Sequence, residues 1–241
     1  MNLKDKVWSY SSLKLYEQCP YAFYLHYVED VKDKPNAFSQ HGSFVHSLLQ
    51  RYFEGELAAF ELSDVYEEQY DLWVTERFPF FTMYKAFYEK TLTYLENFDG
   101  IEGEIIGVEQ ELMAEIGGYK FIGYADLIMR DEHGLVIIDH KSHGKWKSKK
   151  ERADYLRQLY LYAYCVKQKY GEFPYKLAFN MFRNPDKPMD EELFKEGDYT
   201  AAIDWFKAGV ETILATTEWD CKVDKFYCES LCKLEDCIYE G

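Results

Sequence analysis

The sequence predicts a fold of the α/β (α+β) class, with a small central mixed sheet flanked by helices. Helical patterns fill residues 8–97, and three alternating or apolar segments then follow one another from 104 to 139. The chain has 241 residues, of which 47% are hydrophobic, enough to bury a sizeable core in one domain. We therefore predict a single domain, 1–241, with a helical part at 1–100, a core at 101–183, and a helix and tail at 184–241.

Helix signals dominate the first hundred residues. Ser11 or Ser12 can cap a helix whose apolar residues follow at helical spacing, and Pro20 marks a break or a new helix start. Further helices are predicted at 41–60, opening near Gly42, and at 63–97, with a break at Pro79.

Strand signals follow. Glycine-containing turns at 117–118 and 132–134 separate three segments, which predicts an antiparallel meander. The predicted strands are 104–115, 119–130 and 134–139; after them come a helix at 151–170, a strand at 175–183 and a helix at 199–217.

Two carboxylates and a lysine lie where predicted strands meet. Asp139 and Lys141 are two positions apart, so they point to the same side of a strand, and a hairpin can bring Asp126 beside them. Carboxylate oxygens suit Mg²⁺ or Mn²⁺, and a lysine beside the ion can orient water and stabilise charge on a phosphate. A lone D-x-K is common, however, and more often marks only the solvent end of a buried strand.

Three further features favour chemistry at this place. His46 lies on a predicted helix and can bind a metal, although a lone histidine is more often a surface residue. Gln158 and Tyr162 share one face of the helix after Lys141, where the tyrosine alone would merely pack. A basic strip, which could also be an ordinary solvated loop, follows at Lys145, Lys147, Lys149, Lys150 and Arg152.

The charge balance limits the choice of nucleic-acid partners. The net charge of −15 argues against a protein that coats nucleic acid, because phosphate binding requires lysine and arginine. Residues 141–152 nevertheless carry a local charge of +5 against −20 elsewhere. A basic strip on an acidic body can still guide one DNA strand into a cleft.

Four motifs in order resemble the RecB-type branch of the PD-(D/E)XK nucleases. They are G-x-x-x-H, G-x-x-D, D-x-K and Q-x-x-x-Y, at Gly42/His46, Gly123/Asp126, Asp139/Lys141 and Gln158/Tyr162. The opening YSSLKLYEQCPYAF at 10–23 is also similar to that branch. The resemblance implies a restriction-endonuclease-like core and a nuclease that depends on Mg²⁺ or Mn²⁺.

The resemblance also implies roles for individual residues. His46, Asp126, Asp139 and the backbone carbonyl of His140 would bind the metal, and Lys141 would act on the water. Gln158 and Tyr162 would contact DNA or support the site. Glu109 would join through the outer part of the site.

Clustered cysteines indicate a second metal centre. Cys228, Cys232 and Cys237 lie close enough to share a metal, and either Cys19 or Cys221 can supply a fourth ligand to an iron–sulfur cluster or to zinc. The similarity to CRISPR-associated exonucleases and AddB-type nucleases implies Cys19 and a [4Fe-4S] cluster. Their usual tail spacing is C-x-x-C-x-x-x-x-x-C; here the middle cysteine is moved by one position.

Three functions remain open from the sequence. The favoured one is a cytoplasmic nuclease acting on single-stranded DNA or DNA ends, in recombination, repair, or phage or CRISPR processing, with a possible helicase, recombinase or integrase partner. The alternatives are a non-catalytic iron–sulfur DNA-binding or assembly subunit and a zinc-binding scaffold. No apolar run approaches the roughly 20 residues that span a bilayer, so no membrane partner is expected.

Overall fold

A five-stranded mixed sheet forms the centre of the fold in the computed structural model, which describes residues 3–232, 234 and 237. The strands are β1 (Glu104–Ile116), β2 (Tyr119–Asp131), β3 (Gly134–Lys141), β4 (Lys176–Met181) and β5 (Met189–Leu193). They lie in chain order; β3 and β4 are parallel, and the other neighbouring pairs are antiparallel. The predicted mixed sheet with flanking helices is confirmed. Part of the predicted tail, residues 233, 235, 236 and 238–241, lies outside the described residues.

Helices cover both faces of the sheet. They are α1 (Tyr10–Gln18), α2 (Pro20–Tyr27), α3 (Ala37–Phe53), α4 (Leu62–Trp73), α5 (Phe81–Glu96), α6 (Lys149–Tyr170) and α7 (Glu196–Ala215). Side chains alternate along β2: Ile128 packs in the core under α1, α2, α6 and α7, whereas Leu127 packs against α3, α4 and α5. None of the helices in the described part combines the length and apolarity needed to cross a membrane.

Two helices begin earlier than predicted. Ser9 caps α1, because its hydroxyl accepts a hydrogen bond from Ser12 N while the Ser12 hydroxyl accepts one from Ser9 N. The later serines therefore lie inside the helix. Asn36 caps α3 in the same reciprocal manner, so that Gly42 lies within the helix rather than at its start.

The β5 strand was not predicted. Its sequence, M-D-E-E-L, has three acidic residues in five and no apolar run. It forms because β4 offers a free edge and because Arg152 on α6 binds two of its carboxylates. The predicted break at Pro79 is confirmed, since residues 74–80 separate α4 from α5.

Candidate active site

Asp126 and Asp139 face each other across β2 and β3. The register pairs Leu127 with Ile138, so the two aspartates come next in the ladder. Both are buried, with 8% and 2% of their surface exposed. Asp126 Oδ2 accepts a hydrogen bond of 2.6 Å from His140 N, which fixes one carboxylate against the backbone of the neighbouring strand.

Lys141 completes this group at the end of β3. Its ammonium nitrogen lies 2.6 Å from Asp139 Oδ2 and donates a hydrogen bond of 3.1 Å to Gln158 Oε1 on α6. Burial lowers the pKa of Lys141, but the carboxylates of Asp139 and Asp126 outweigh burial and raise it. Lys141 is therefore protonated at neutral pH and serves as a fixed positive charge, not as a base.

Gly123 makes room for the residue that supports Gln158. Gln158 Nε2 donates a hydrogen bond of 2.8 Å to the Tyr162 hydroxyl, and the Tyr162 ring lies directly against Gly123. A Cβ at Gly123 would lie 2.3 Å from Tyr162 Cε1, far inside van der Waals contact. The glycine thus permits a continuous chain from Tyr162 through Gln158 to Lys141.

His46 reaches the same site from α3. Its Nδ1 lies 3.6 Å from Asp126 Oδ2. Burial lowers the pKa of His46 despite the nearby Asp139 carboxylate, so the ring is neutral at pH 7 and can act as a metal ligand.

Glu109 on β1 lies opposite Asp126, between the register pairs Val108–Leu127 and Gln110–Ala125. Its φ of 45° is left-handed, a conformation that costs a residue with a side chain about 1–2 kcal/mol. One ligand atom from each of His46, Glu109 and Asp126 lies within 4.8 Å of the others. The strained backbone therefore coincides with a potential metal site, as is frequent at functional sites.

The carboxylates give the site surplus negative charge. Burial, together with Asp139, raises the pKa of Asp126 well above its ordinary value, and burial with Asp139 and Glu54 raises that of Glu109. Asp139 Oδ2 is buried and accepts no well-aligned hydrogen bond. Three carboxylates with one ammonium and a neutral imidazole fit a divalent cation, which would relieve their repulsion.

The side chain of His140 lies outside this group. Its Nδ1 is 3.0 Å from Asn180 Nδ2, and its ring stacks on Phe53 in the core on the α3 side. Only the backbone of His140 meets the carboxylates, so a contribution of its carbonyl, not its ring, is compatible with the fold.

The basic strip divides into two parts. Lys145, Lys147, Lys149 and Lys150 are exposed, and in the described part of the chain none of their ammonium groups pairs with a carboxylate. Arg152 instead donates hydrogen bonds of 2.8 and 2.9 Å to Asp190 and of 2.9 Å to Glu192. Its guanidinium joins α6 to β5 through these ion pairs.

Five cysteines gather beside the α1–α2 junction. Cys19 is buried between these helices, and its Sγ accepts a hydrogen bond of 3.4 Å from Lys222 N. Burial and the neighbouring thiols of Cys19, Cys237 and Cys228 raise the pKa of Cys221 to about 12. Burial and the neighbouring thiols of Cys237, Cys228 and Cys19 also raise the pKa of Cys232. Both candidates for a fourth ligand, Cys19 and Cys221, therefore lie with the tail cysteines.

Contacts with α2 and α3 hold the tail in this place. Tyr21 N donates a hydrogen bond of 3.1 Å to Asp220 O, and Asn36 Nδ2 donates one of 3.2 Å to Leu231 O. Cys165 lies apart in the core on α6, as a small apolar residue does.

Comparisons with known proteins agree with this geometry. The model of the PD-(D/E)XK nuclease superfamily, whose members use divalent metals, matches residues 7–239. A candidate exonuclease from Eubacterium rectale has a similar fold, with 15% identity and a TM-score of 0.54 over 90% of this chain and 85% of that one.

The structure of SSO0001 matches more weakly. Its TM-score is 0.38 at 17% identity, over 95% of this chain and 87% of that one. No curated protein matches the sequence. The superfamily match spans the sheet, the carboxylates and the flanking helices together, and the chain belongs to the PD-(D/E)XK nuclease superfamily.

Proposed function

We propose that the protein is a divalent-metal-dependent deoxyribonuclease that hydrolyses phosphodiesters in single-stranded DNA or at DNA ends. The observation that carries the proposal is the buried convergence of Asp126 and Asp139 with a protonated Lys141. Processing in recombination, repair, or phage or CRISPR pathways, with a helicase, recombinase or integrase as partner, is the setting that suits this activity.

The metal would be held by His46, Glu109, Asp126, Asp139 and the carbonyl of His140. A divalent ion there supplies polarisation of a phosphoryl oxygen and a bound water of lowered pKa. Lys141, fixed between Asp139 and Gln158, offers its third N–H to the attacking water or to a phosphate oxygen. A charged Lys141 would contribute electrostatically, and the proton of the water would then leave by another group.

The test is cleavage of end-labelled single- and double-stranded DNA with Mg²⁺ or Mn²⁺. Asp139→Asn and Lys141→Ala should each lower the rate by orders of magnitude, because each removes stabilisation of charge in the transition state. A matched control is Asp186→Asn, a change in the turn between β4 and β5. Wild-type cleavage rates in both site variants would show that Asp139 and Lys141 are not active-site residues. A wild-type protein that binds DNA without cutting it would favour the non-catalytic alternative.

We infer a second centre at the cysteines, an iron–sulfur cluster held by Cys19, Cys228, Cys232 and Cys237 with a structural role. One early cysteine in a C-P-Y-x-F setting together with three near residue 230 favours an iron–sulfur cluster, and a single zinc ion is the alternative cofactor.

Anaerobic purification and metal analysis test this centre. We expect brown protein in the wild type, with loss of the colour and lowered stability in Cys19→Ser and neither effect in Cys221→Ser. Because both thiols lie at the same place, the pair is a matched comparison. Colour that survives in Cys19→Ser but is lost in Cys221→Ser would show that the fourth ligand is Cys221 and not Cys19. Colourless protein with one zinc per chain would show a zinc site in place of the cluster.

A further inference from the structure

A groove of about 690 Å³ extends from the active-site lysine across the start of α6 to α1 and the cysteine tail. It brings together side chains that are remote in sequence, among them Lys14, Lys141, Lys150, Tyr155, Gln158 and Tyr227. Its volume lies within the range of sites that enclose small ligands, so it can take a few unpaired nucleotides. Since Lys141 lines it, the groove opens directly onto the proposed site of cleavage.

Lysines outnumber carboxylates among the residues that line the groove, three to two. Lys150 is exposed and has no carboxylate partner among the described residues, whereas Lys14 pairs with the exposed Glu17 at 2.7 Å. The two acids that line the groove are engaged: Asp154 pairs with Arg157 at 2.9 Å, and Glu151 accepts a hydrogen bond from the backbone N–H of residue 147. The start of the 22-residue α6 adds partial positive charge at the same place.

Two aromatic rings complete the surface. Tyr155 lies beside the active-site lysine, whose Nζ is 5.3 Å from the ring centroid. Tyr227 lies at the other end, next to Cys228 of the tail. Lysines for phosphates together with rings for bases are the combination by which proteins hold single strands, since every base has a face that can stack.

We propose that this groove binds the unpaired DNA strand that leads to the active site. Lys14 and Lys150 contact its phosphates, and Tyr155 and Tyr227 contact its bases. The proposal rests on the proposed nuclease function and adds a path for the substrate. It also gives the cysteine tail a role in binding, because Tyr227 forms one wall of the groove.

The charge contacts can be tested with a fluorescein-labelled oligo(dT) in Ca²⁺, with binding followed by anisotropy over a range of salt concentrations. Lys14→Ala combined with Lys150→Ala should weaken binding and reduce the log–log salt slope by about 1.4, at roughly 0.7 per contact. Lys169→Ala is the matched control, because it removes an exposed lysine about 28 Å away along the same helix. The midpoint of thermal unfolding should match wild type in both the double variant and the control.

The aromatic contacts have a separate signature. Tyr155→Leu and Tyr227→Leu should each weaken binding about 5- to 100-fold and leave the salt slope unchanged. Photo-crosslinking with 5-iodouracil in the oligonucleotide should label Tyr155 or Tyr227. Label only on Tyr124, which is exposed two residues before Asp126, would place the strand on another side of the site and overturn the groove.

The two proposals fail in different ways. If wild type cuts and binds DNA while the double lysine variant keeps its affinity and slope, the groove is not the path and the nuclease assignment stands. If wild type neither cuts nor binds any DNA, the proposed function fails and the groove fails with it.

Discussion

Gly123→Ala should disable the active site without touching any group that performs chemistry. The new methyl group would lie 2.3 Å from Tyr162 Cε1, where about 3.4 Å is the ordinary limit, so the ring must move by about 1 Å. Tyr162 is buried, and its hydroxyl holds Gln158, which in turn holds Lys141. We expect a loss of about 1–3 kcal/mol in stability from overpacking and about a 100-fold loss in cleavage rate from misplacing Lys141.

Single-turnover cleavage and urea unfolding measure the two effects separately. Gly197→Ala is the matched control, because a methyl group there meets nothing within 4 Å, and it should leave rate and stability near wild type. Tyr162→Phe removes the hydroxyl without a clash, so it should lower the rate while costing less stability than Gly123→Ala. A Gly123→Ala protein with wild-type rate and stability would refute the proposed chain of support to Lys141.

Three further predictions concern the metal site. Asp126→Asn should stabilise the metal-free protein at pH 7 by about 1–3 kcal/mol while abolishing cleavage, because it removes a buried charge. Since the folded-state pKa of Asp126 is raised, wild-type stability should increase as pH falls from that pKa towards the ordinary value of 3.8, and the difference from Asp126→Asn should shrink; urea unfolding at pH 5 and 8 checks both. Glu109→Gly should relieve the left-handed backbone and raise metal-free stability by about 1 kcal/mol in the same assay, yet lower the cleavage rate. Mn²⁺ should support cleavage at least as well as Mg²⁺, and His46→Ala should lower the rate with Mn²⁺ relative to the rate with Mg²⁺. Cleavage with Mg²⁺ alone, at a rate that His46→Ala does not change, would show that the imidazole is not a metal ligand.

The sequence predicted those elements of the fold that local residue patterns specify. It did not predict elements that form only through contacts with residues distant in the sequence. The meander was predictable because glycine turns separate segments with alternating or apolar character. The N-terminus of α3 carried a usable signal, Asn36 followed three residues later by Ser39, which sequence reasoning overlooked. No such signal exists for β5, because its acidic segment is ordered by the edge of β4 and by basic and polar partners, Arg152 among them, that lie on other elements.

The active site divides in the same way. Spacing of two along a strand and a hairpin turn were enough to predict that Asp126, Asp139 and Lys141 would meet. The place of Glu109 depends on a positive φ that no residue pattern reveals. The use of Arg152 depends on Asp190, 38 residues later, so its charge alone could not distinguish a phosphate contact from an internal ion pair.

The meeting of Cys19 with the thiols at 221–237 has a consequence for synthesis of the chain. Roughly 200 residues separate the partners, so at about 5–20 residues per second some 10–45 s pass between their emergence from the ribosome. During that interval the sheet and its helices can already form, while the Cys19 thiol at the α1–α2 junction has not yet met the later cysteines. Assembly of the proposed cluster would therefore follow formation of the sheet, and its yield should depend on how well the cell keeps the Cys19 thiol reduced.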